Sequence, residues 1–385
     1  MKRNKTATAM TVFVLLASML TLTLNIQPVK ATWIGGTIII EADGSVYSDD
    51  APISVDGNVY TLTDDILIRY YGGFTIIVWC SDIVLDGDGH TMQPYHPYVA
   101  CDGIGSVGDN VIIRNIVLKD MRIGIGVGAH GNIISGNTII NCWSFSILVQ
   151  LGSSNIIHGN TILDSYNVGI TIDRSDSNII SGNTIIGAPN KWGGIDLSHS
   201  SYNIISENNI ESSNIGITLL EASDNTFYHN NLIENTLQVY DRSWDHPYPP
   251  SVNVWDNGYP SGGNYWSDYE GIDENDDGIG DTPYFIYTDN QDDYPLMEPW
   301  TLLESIEELT EIIMNMNLPQ RTGNSLTSKL GEALKLLDKG NFNGAIHKLG
   351  DFIDQVEAQR EKALTNEQAD YLILKAQIII SQIQE

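Results

Sequence analysis

The chain has 385 residues, with 42% hydrophobic and 18% charged side chains, so there is enough apolar matter for packed cores and a disordered polyelectrolyte is excluded. Nineteen basic against 49 acidic residues give a net charge of −30. A phosphate-binding groove needs a basic field, so nucleic acid is not an expected partner.

The N-terminus reads as a secretory signal peptide over residues 1–31. Lys2, Arg3 and Lys5 form a positive start, Met10 to Leu24 is apolar apart from threonines and a serine, and Pro28 breaks the run. Val29-Lys30-Ala31 fits a small-x-small cleavage site. The expected mature chain starts near Thr32, has no membrane span, and works outside the cell or at its surface. Val59 to Arg69 and Phe74 to His90 have strand character. The three cysteines, Cys80, Cys101 and Cys142, read as buried small hydrophobes, with a Cys80–Cys101 bridge as the alternative.

From Asn110 the chain repeats. Asn110 opens NVIIRNIVL, Asn132 NIISGNTII, Asn155 NIIHGNTIL, Asn178 NIISGNTII, Asn203 NIISENNIE and Asn225 NTFYHNNLI. Spacings of about 22–25 residues mean stacked units, each too small to bury its own face. The second half of each unit is another short β-branched run, at Gly124, Ser146, Gly169, Gly194 and Gly216. Two or three short strands per unit wind once around a cylinder and pair in parallel with the next coil, about 4.8 Å away. Ile112, Ile134, Ile157, Ile180, Ile205 and Phe227 form one expected internal stack. Val117, Ile139, Ile162, Ile185, Ile210 and Leu232 form a second. Asn115, Asn137, Asn160, Asn183, Asn208 and Asn230 form an expected structural amide ladder at a turn.

The run YTLTDDI, IVLDGDGHT, GI, IIRN and GNTI resembles the NosD-like β-helix proteins, whose repeat is also described as carbohydrate-binding and sugar-hydrolysing. The likeness spans about Val59 to Trp300 and includes GGNYWSDY at Gly262 and DENDDGIGDTPY at Asp273. It implies a right-handed parallel β-helix over residues 32–300, closed by an aromatic and acidic cap. The fold expected for the whole chain is this all-β solenoid followed by a small all-α helical bundle.

The NosD resemblance also implies copper-site maturation, and the residues argue against it. Copper needs soft or imidazole ligands brought together. His158 and His229, like His130 and His199, stand three coils apart, and no Met-x-x-Met or Cys-His cluster occurs. Polysaccharide cleavage is a second alternative. A hydrolase needs two carboxylates at about 5–9.5 Å. A calcium-assisted lyase needs acids beside a base, and Arg114, Arg122 and Arg174 with Asp120, Asp164, Asp173 and Asp176 supply the types without a fixing spacing. Asp173 and Asp196 lie at corresponding strand ends in adjacent coils, with Gln150 one coil before, and this column predicts a polar groove. Sugar recognition uses aromatic faces beside convergent polar groups. Trp255, Tyr265 and Trp266, with other late aromatics, either bind a glycan or cap the open end of the solenoid.

In the acidic loop, Asp273, Asn275 and Asp277 alternate before Gly278, with Asp281 following. This fits the oxygen-ligand pattern of a calcium loop but lacks the bidentate Glu of an EF-hand. A structural Ca²⁺ is the expected cofactor. From residue 301 the period changes. Leu302, Ile306, Leu309, Ile313 and Met316 mark one helix, broken by Pro319 and Gly323. Leu326 to Leu337 mark a second, Phe342 to Val356 a third, and Thr365 with Gln368 caps a fourth. Residues 301–385 resemble the FIMAH module of secreted proteins, read as a cap, a spacer or an interaction unit. The expected function is carbohydrate binding at or outside the cell surface, with a cell-envelope component as the other partner class. The rivals are a calcium-assisted polysaccharide lyase or hydrolase and a structural adhesion protein.

Overall fold

The computed structural model describes residues 36–384 apart from 49, 71, 97, 98, 189, 191 and 246. Residues 1–31, expected from the sequence to be a signal peptide, and Thr32 lie outside the described residues. The chain forms a parallel β-solenoid followed by four helices.

Three sheets run the length of the solenoid, with ten, nine and nine strands. The first holds Ile123–Val127, Phe145–Gln150, Val168–Asp173, Gly193–Ser198 and Ile215–Leu220. The second holds the strands that follow each opening Asn, such as Ile156–His158, and the third holds Thr161–Leu163 and its equivalents. Inward residues stack in register: Ile134, Ile157, Ile180, Ile205 and Phe227 in one column, Ile139, Ile162, Ile185, Ile210 and Leu232 in another, all fully buried. Such stacking removes apolar area from water at every coil, at about 25 cal/mol per Å².

One register differs from expectation. Ile113 pairs with Ile134 and Leu118 with Ile139, so the buried pair in this coil is Ile113 and Leu118, not Ile112 and Val117. Asn115 therefore leaves the ladder. It turns the chain at φ 56° and its amide donates to Asp86. The coil carries Val111 and Ile116 where its successors carry Asn, and a count from Asn110 slips by one.

Two amide ladders hold the coils together. Asn137, Asn160, Asn183, Asn208 and Asn230 run on to Asn264, each main-chain and side-chain N–H donating to the next Oδ1. The opening asparagines form the second, from Asn132 through Asn155, Asn178, Asn203 and Asn225 to Asn253. These amides satisfy turn backbone groups sealed inside the stack.

The solenoid's end is closed by aromatics. Trp255 stacks on Phe227 with centroids 4.2 Å apart, and Trp266 on Tyr284 at 4.3 Å. Their indole N–H groups donate to Asn290 and Asp292. Cys80, Cys101 and Cys142 are all free, so the Cys80–Cys101 bridge is not formed, and Cys101 and Cys142 fill core space.

The helices are α1 (Leu302–Asn315), α2 (Gln320–Leu337), α3 (Phe342–Gln359) and α4 (Asn366–Gln384). Thr301 and Glu304 form a capping box on α1, and Thr365 and Gln368 bond reciprocally before α4. Pro319 starts α2, so Gly323 lies inside that helix and does not break it. Ile306, Leu309, Leu326, Leu330, Leu349, Phe352, Leu372 and Ala376 belong to a core of the helices' own, separate from the solenoid's.

α4 is also buried on its far side, against the corner between the second and third sheets. At that corner each coil has one left-handed residue: Gly136, Gly159, Gly182, Glu207 and His229 in turn. A Cβ on Gly159 would collide with Ser381 Oγ, and one on Gly182 would stand 2.8 Å from Ile378. Glycine there serves both the turn and the close approach of the helix. Where glycine gives way, Glu207 bonds Lys375 Nζ and Ser305 Oγ, and Lys375 also reaches Glu308.

Candidate functional site

The first sheet has an open cleft of about 250 Å³ on its outer face, crossing three coils. Strand alternation builds it. In Val168–Asp173, Ile170 and Ile172 point into the core, while Thr171 and Asp173 line the cleft. Leu148 and Gln150 do the same one coil earlier, and Asp196 and Ser198 one coil later.

The sequence-predicted trio meets here, with a changed register. Gln150 pairs with Asp173, and its carboxamide donates to the Asp173 carboxylate at 2.8 Å. Asp173 pairs onward with Ser198, whereas Asp196 pairs with Thr171. Asp196 is thus a diagonal neighbour of Asp173, two residues up the strand, and not its column mate.

Three other residues complete the cleft. Arg242, at the end of the strand Leu237–Asp241, reaches back two coils and its Nη2 donates to Asp196 Oδ1 at 2.6 Å. Its guanidinium lies 4.3 Å over the Trp192 ring. Phe145 and Asn167 line the opposite end. Burial pushes the Asp196 carboxyl up to about 6, against the pull of Arg242, and the nearby Asp173 charge adds to the rise. Among the described residues, two buried polar atoms at the cleft have no hydrogen-bond partner, the Thr171 hydroxyl and Arg242 Nε.

The aromatic part of the expected ligand site is corrected. Trp255 and Trp266 are each 1% exposed, because their rings close the last coils, so they offer no face to a sugar. Tyr265 is half-buried in the third sheet, a different face from the cleft. Trp192, Thr171 and Arg242 were missed. Arg242 lies 46 residues from Asp196, beyond any local spacing, while the outward place of Thr171 could have been read from the alternation in GITID.

The acidic loop is closed on itself. Asp273 accepts from the amides of Asp277 and Gly278, Asn275 Oδ1 from Asp277, Asp277 from Ile279, and Asp281 from Glu274. Gly278 takes φ +89° at the turn. Among the described residues, no three His, Cys, Asp or Glu side chains stand grouped to hold a metal ion.

Residues 97–271 match the family model described as periplasmic copper-binding protein (NosD), and residues 303–381 match the FIMAH domain. The solenoid is NosD-like and the helical unit FIMAH-like. The fold is also similar to the periplasmic alginate epimerase AlgG (15% identity, 55% of this chain and 74% of that one, TM-score 0.32). A tailspike protein 2 from an Escherichia coli bacteriophage aligns at 13% identity over 60% of this chain and 40% of its own (TM-score 0.37). An alginate lyase from Paenibacillus aligns at 14% over 49% and 90% (TM-score 0.23). No curated protein matches. No helix among the described residues is long and apolar enough to cross a membrane.

The residues of this NosD-like solenoid do not fit copper. His158 and His229 are buried and each is pushed down to about 4 by that burial. His158 Nδ1 faces Ser381 Oγ, and His229 stacks on Trp300 with Nε2 donating to the Ser261 carbonyl. The Cys101 and Cys142 thiols are pushed up to about 11 and about 12 by burial, which keeps them protonated and poor ligands.

Proposed function

We propose that this protein binds carbohydrate in the cleft on the first sheet, at or outside the cell surface. The observation that carries the reading is an open cleft in which Gln150, Asp173, Asp196, Ser198 and Arg242 converge beside the Trp192 indole, with Thr171 Oγ1 and Arg242 Nε unpartnered just behind its surface. Gln150 and Asp173 add a carboxamide and a carboxylate at the rim, and an indole beside such groups is the composition that sugar rings select. Isothermal titration against a glycan panel, with Thr171→Val as the cleft variant, tests the reading. Binding that survives intact in the variant would move the site elsewhere. A reducing-sugar assay on the same panel separates a binder from a hydrolase.

We also propose that the loop 273–281 takes a structural calcium ion. The alternation of the oxygen side chains Asp273, Asn275 and Asp277 before the Gly278 turn, with Asp281 following, supports it.

A further inference from the structure

The geometry points to a linear, uncharged polysaccharide as the ligand, leaving the cleft over a shelf made by Trp143 and Tyr166. This rests on the carbohydrate reading above and names the class of glycan.

Both shelf residues stand at the turn that enters the first sheet. Phe145 pairs with Val168, so Trp143 and Tyr166, two residues before each, are side by side on consecutive coils. The amide of Trp143 donates to Met121 O and that of Tyr166 to Cys142 O, which fixes both turns. Trp143 is 37% exposed and Tyr166 63%, and both adjoin residues of the cleft wall, Phe145 and Asn167. Neighbouring coils are about 4.8 Å apart. Two exposed aromatic residues side by side on coils at that spacing offer apolar ring faces to an extended sugar chain.

Charge sets the class. The cleft carries two carboxylates, Asp173 and Asp196, and each already faces a guanidinium: Arg174 at 3.6 Å from the first, Arg242 at 2.6 Å from the second. Among the described lining residues the single cation is Arg242, and its Nη2 is engaged. A uronate or sulfate would meet Asp173 and Asp196 with only a guanidinium already paired to Asp196 to balance it in that lining, inside a chain of net charge −30. A hydroxyl needs less: it can bond the Gln150 carboxamide or the Ser198 hydroxyl and donate to Asp173 without breaking either ion pair.

The test is calorimetric titration of short and long neutral oligosaccharides (cello-, manno- and xylo-series) and of oligouronates of matching length, at low and high salt. Neutral chains should bind, long ones more tightly than short ones. The Trp143→Ala and Tyr166→Ala variants should lose about three- to tenfold on the long chains and little on the short. Oligouronates binding as tightly as neutral chains would overturn the charge argument while leaving the carbohydrate reading standing. An undiminished gain with chain length in the double variant, its fold verified by circular dichroism, would overturn the shelf. Absence of binding to every glycan would remove the carbohydrate reading itself.

Discussion

Two flanks of the same solenoid treat polar groups in opposite ways. At the corner under α4, Glu207 finds Lys375 and Ser305, His158 meets Ser381, and glycines at 159 and 182 let the helix in. On the first sheet, Thr171 and Arg242 Nε face an open cleft with nothing bonded to them. The corner also leaves His229 Nδ1 and Gln382 Oε1 without hydrogen-bond partners among the described residues, though Glu308 stands 3.9 Å from the first, and both are buried. The difference is one of access. A polar group capped by a docked helix contributes to architecture, while one buried just behind an uncovered cleft lies next to a surface that a ligand can enter.

The largest effect expected is at the corner. Lys375→Met strands the Glu207 carboxylate, whose side chain is fully buried, and should cost about 3–5 kcal/mol in denaturant unfolding. The double variant with Glu207→Gln should recover much of that. A single variant as stable as wild type would break the contrast between the flanks.

The ladder beneath the same corner comes next. Asn160→Leu removes a side chain whose Nδ2 donates to Ile134 O, His158 O and Asn183 Oδ1 and whose Oδ1 accepts from Asn137. A loss of about 1–3 kcal/mol is expected, and a melt matching wild type would remove the ladder's role.

Acidity should separate the flanks by sign. His158 and His229 sit near 4 in the folded chain against 6.5 unfolded. Their contribution is therefore full above about pH 6.5 and is lost as pH falls toward 4, by roughly 1–3 kcal/mol. Asp196 is raised from 3.8 to about 6, so its contribution is full at low pH and is lost as pH rises through 6. Hydrogen exchange at pH 5 and pH 8, corrected for intrinsic rates, should show α4 less protected at the lower pH and the strand Gly193–Ser198 less protected at the higher. Parallel changes in both would contradict the assignment.

Thr171→Val gives a smaller effect with two signs. Removing an unpartnered buried hydroxyl should raise stability by about 0.5–1 kcal/mol, while glycan affinity falls about three- to tenfold. A fall in both would mean that the hydroxyl serves the fold and not a ligand. The smallest effect expected is at the end cap. Calcium should raise the melting temperature of wild type by a few degrees and not that of Asp277→Ala, and equal shifts in both would exclude the loop as the site.

Much of this architecture is legible in the chain because a repeat compares itself. Ile134, Ile157 and Ile180 recur at a fixed offset from an asparagine, and that recurrence identifies both strand and facing. The count failed at Asn110, where Val111 and Ile116 replace the asparagines and no amide marks the register. It failed again at Asp196, where a 25-residue coil follows 23-residue ones and the strand ends no longer line up by eye.

The sequence by itself determined the period, the parallel solenoid, the amide ladder and the four amphipathic helices, because each is set by contacts between residues at fixed local spacing. Only the tertiary structure decided that Trp255 and Trp266 are sealed, that α4 docks on the glycine corner, and that Arg242 and Trp192 complete the cleft around Asp196. Those outcomes depend on which coils come to lie together and on where a side chain two coils away can reach, and no spacing along the chain encodes that distance.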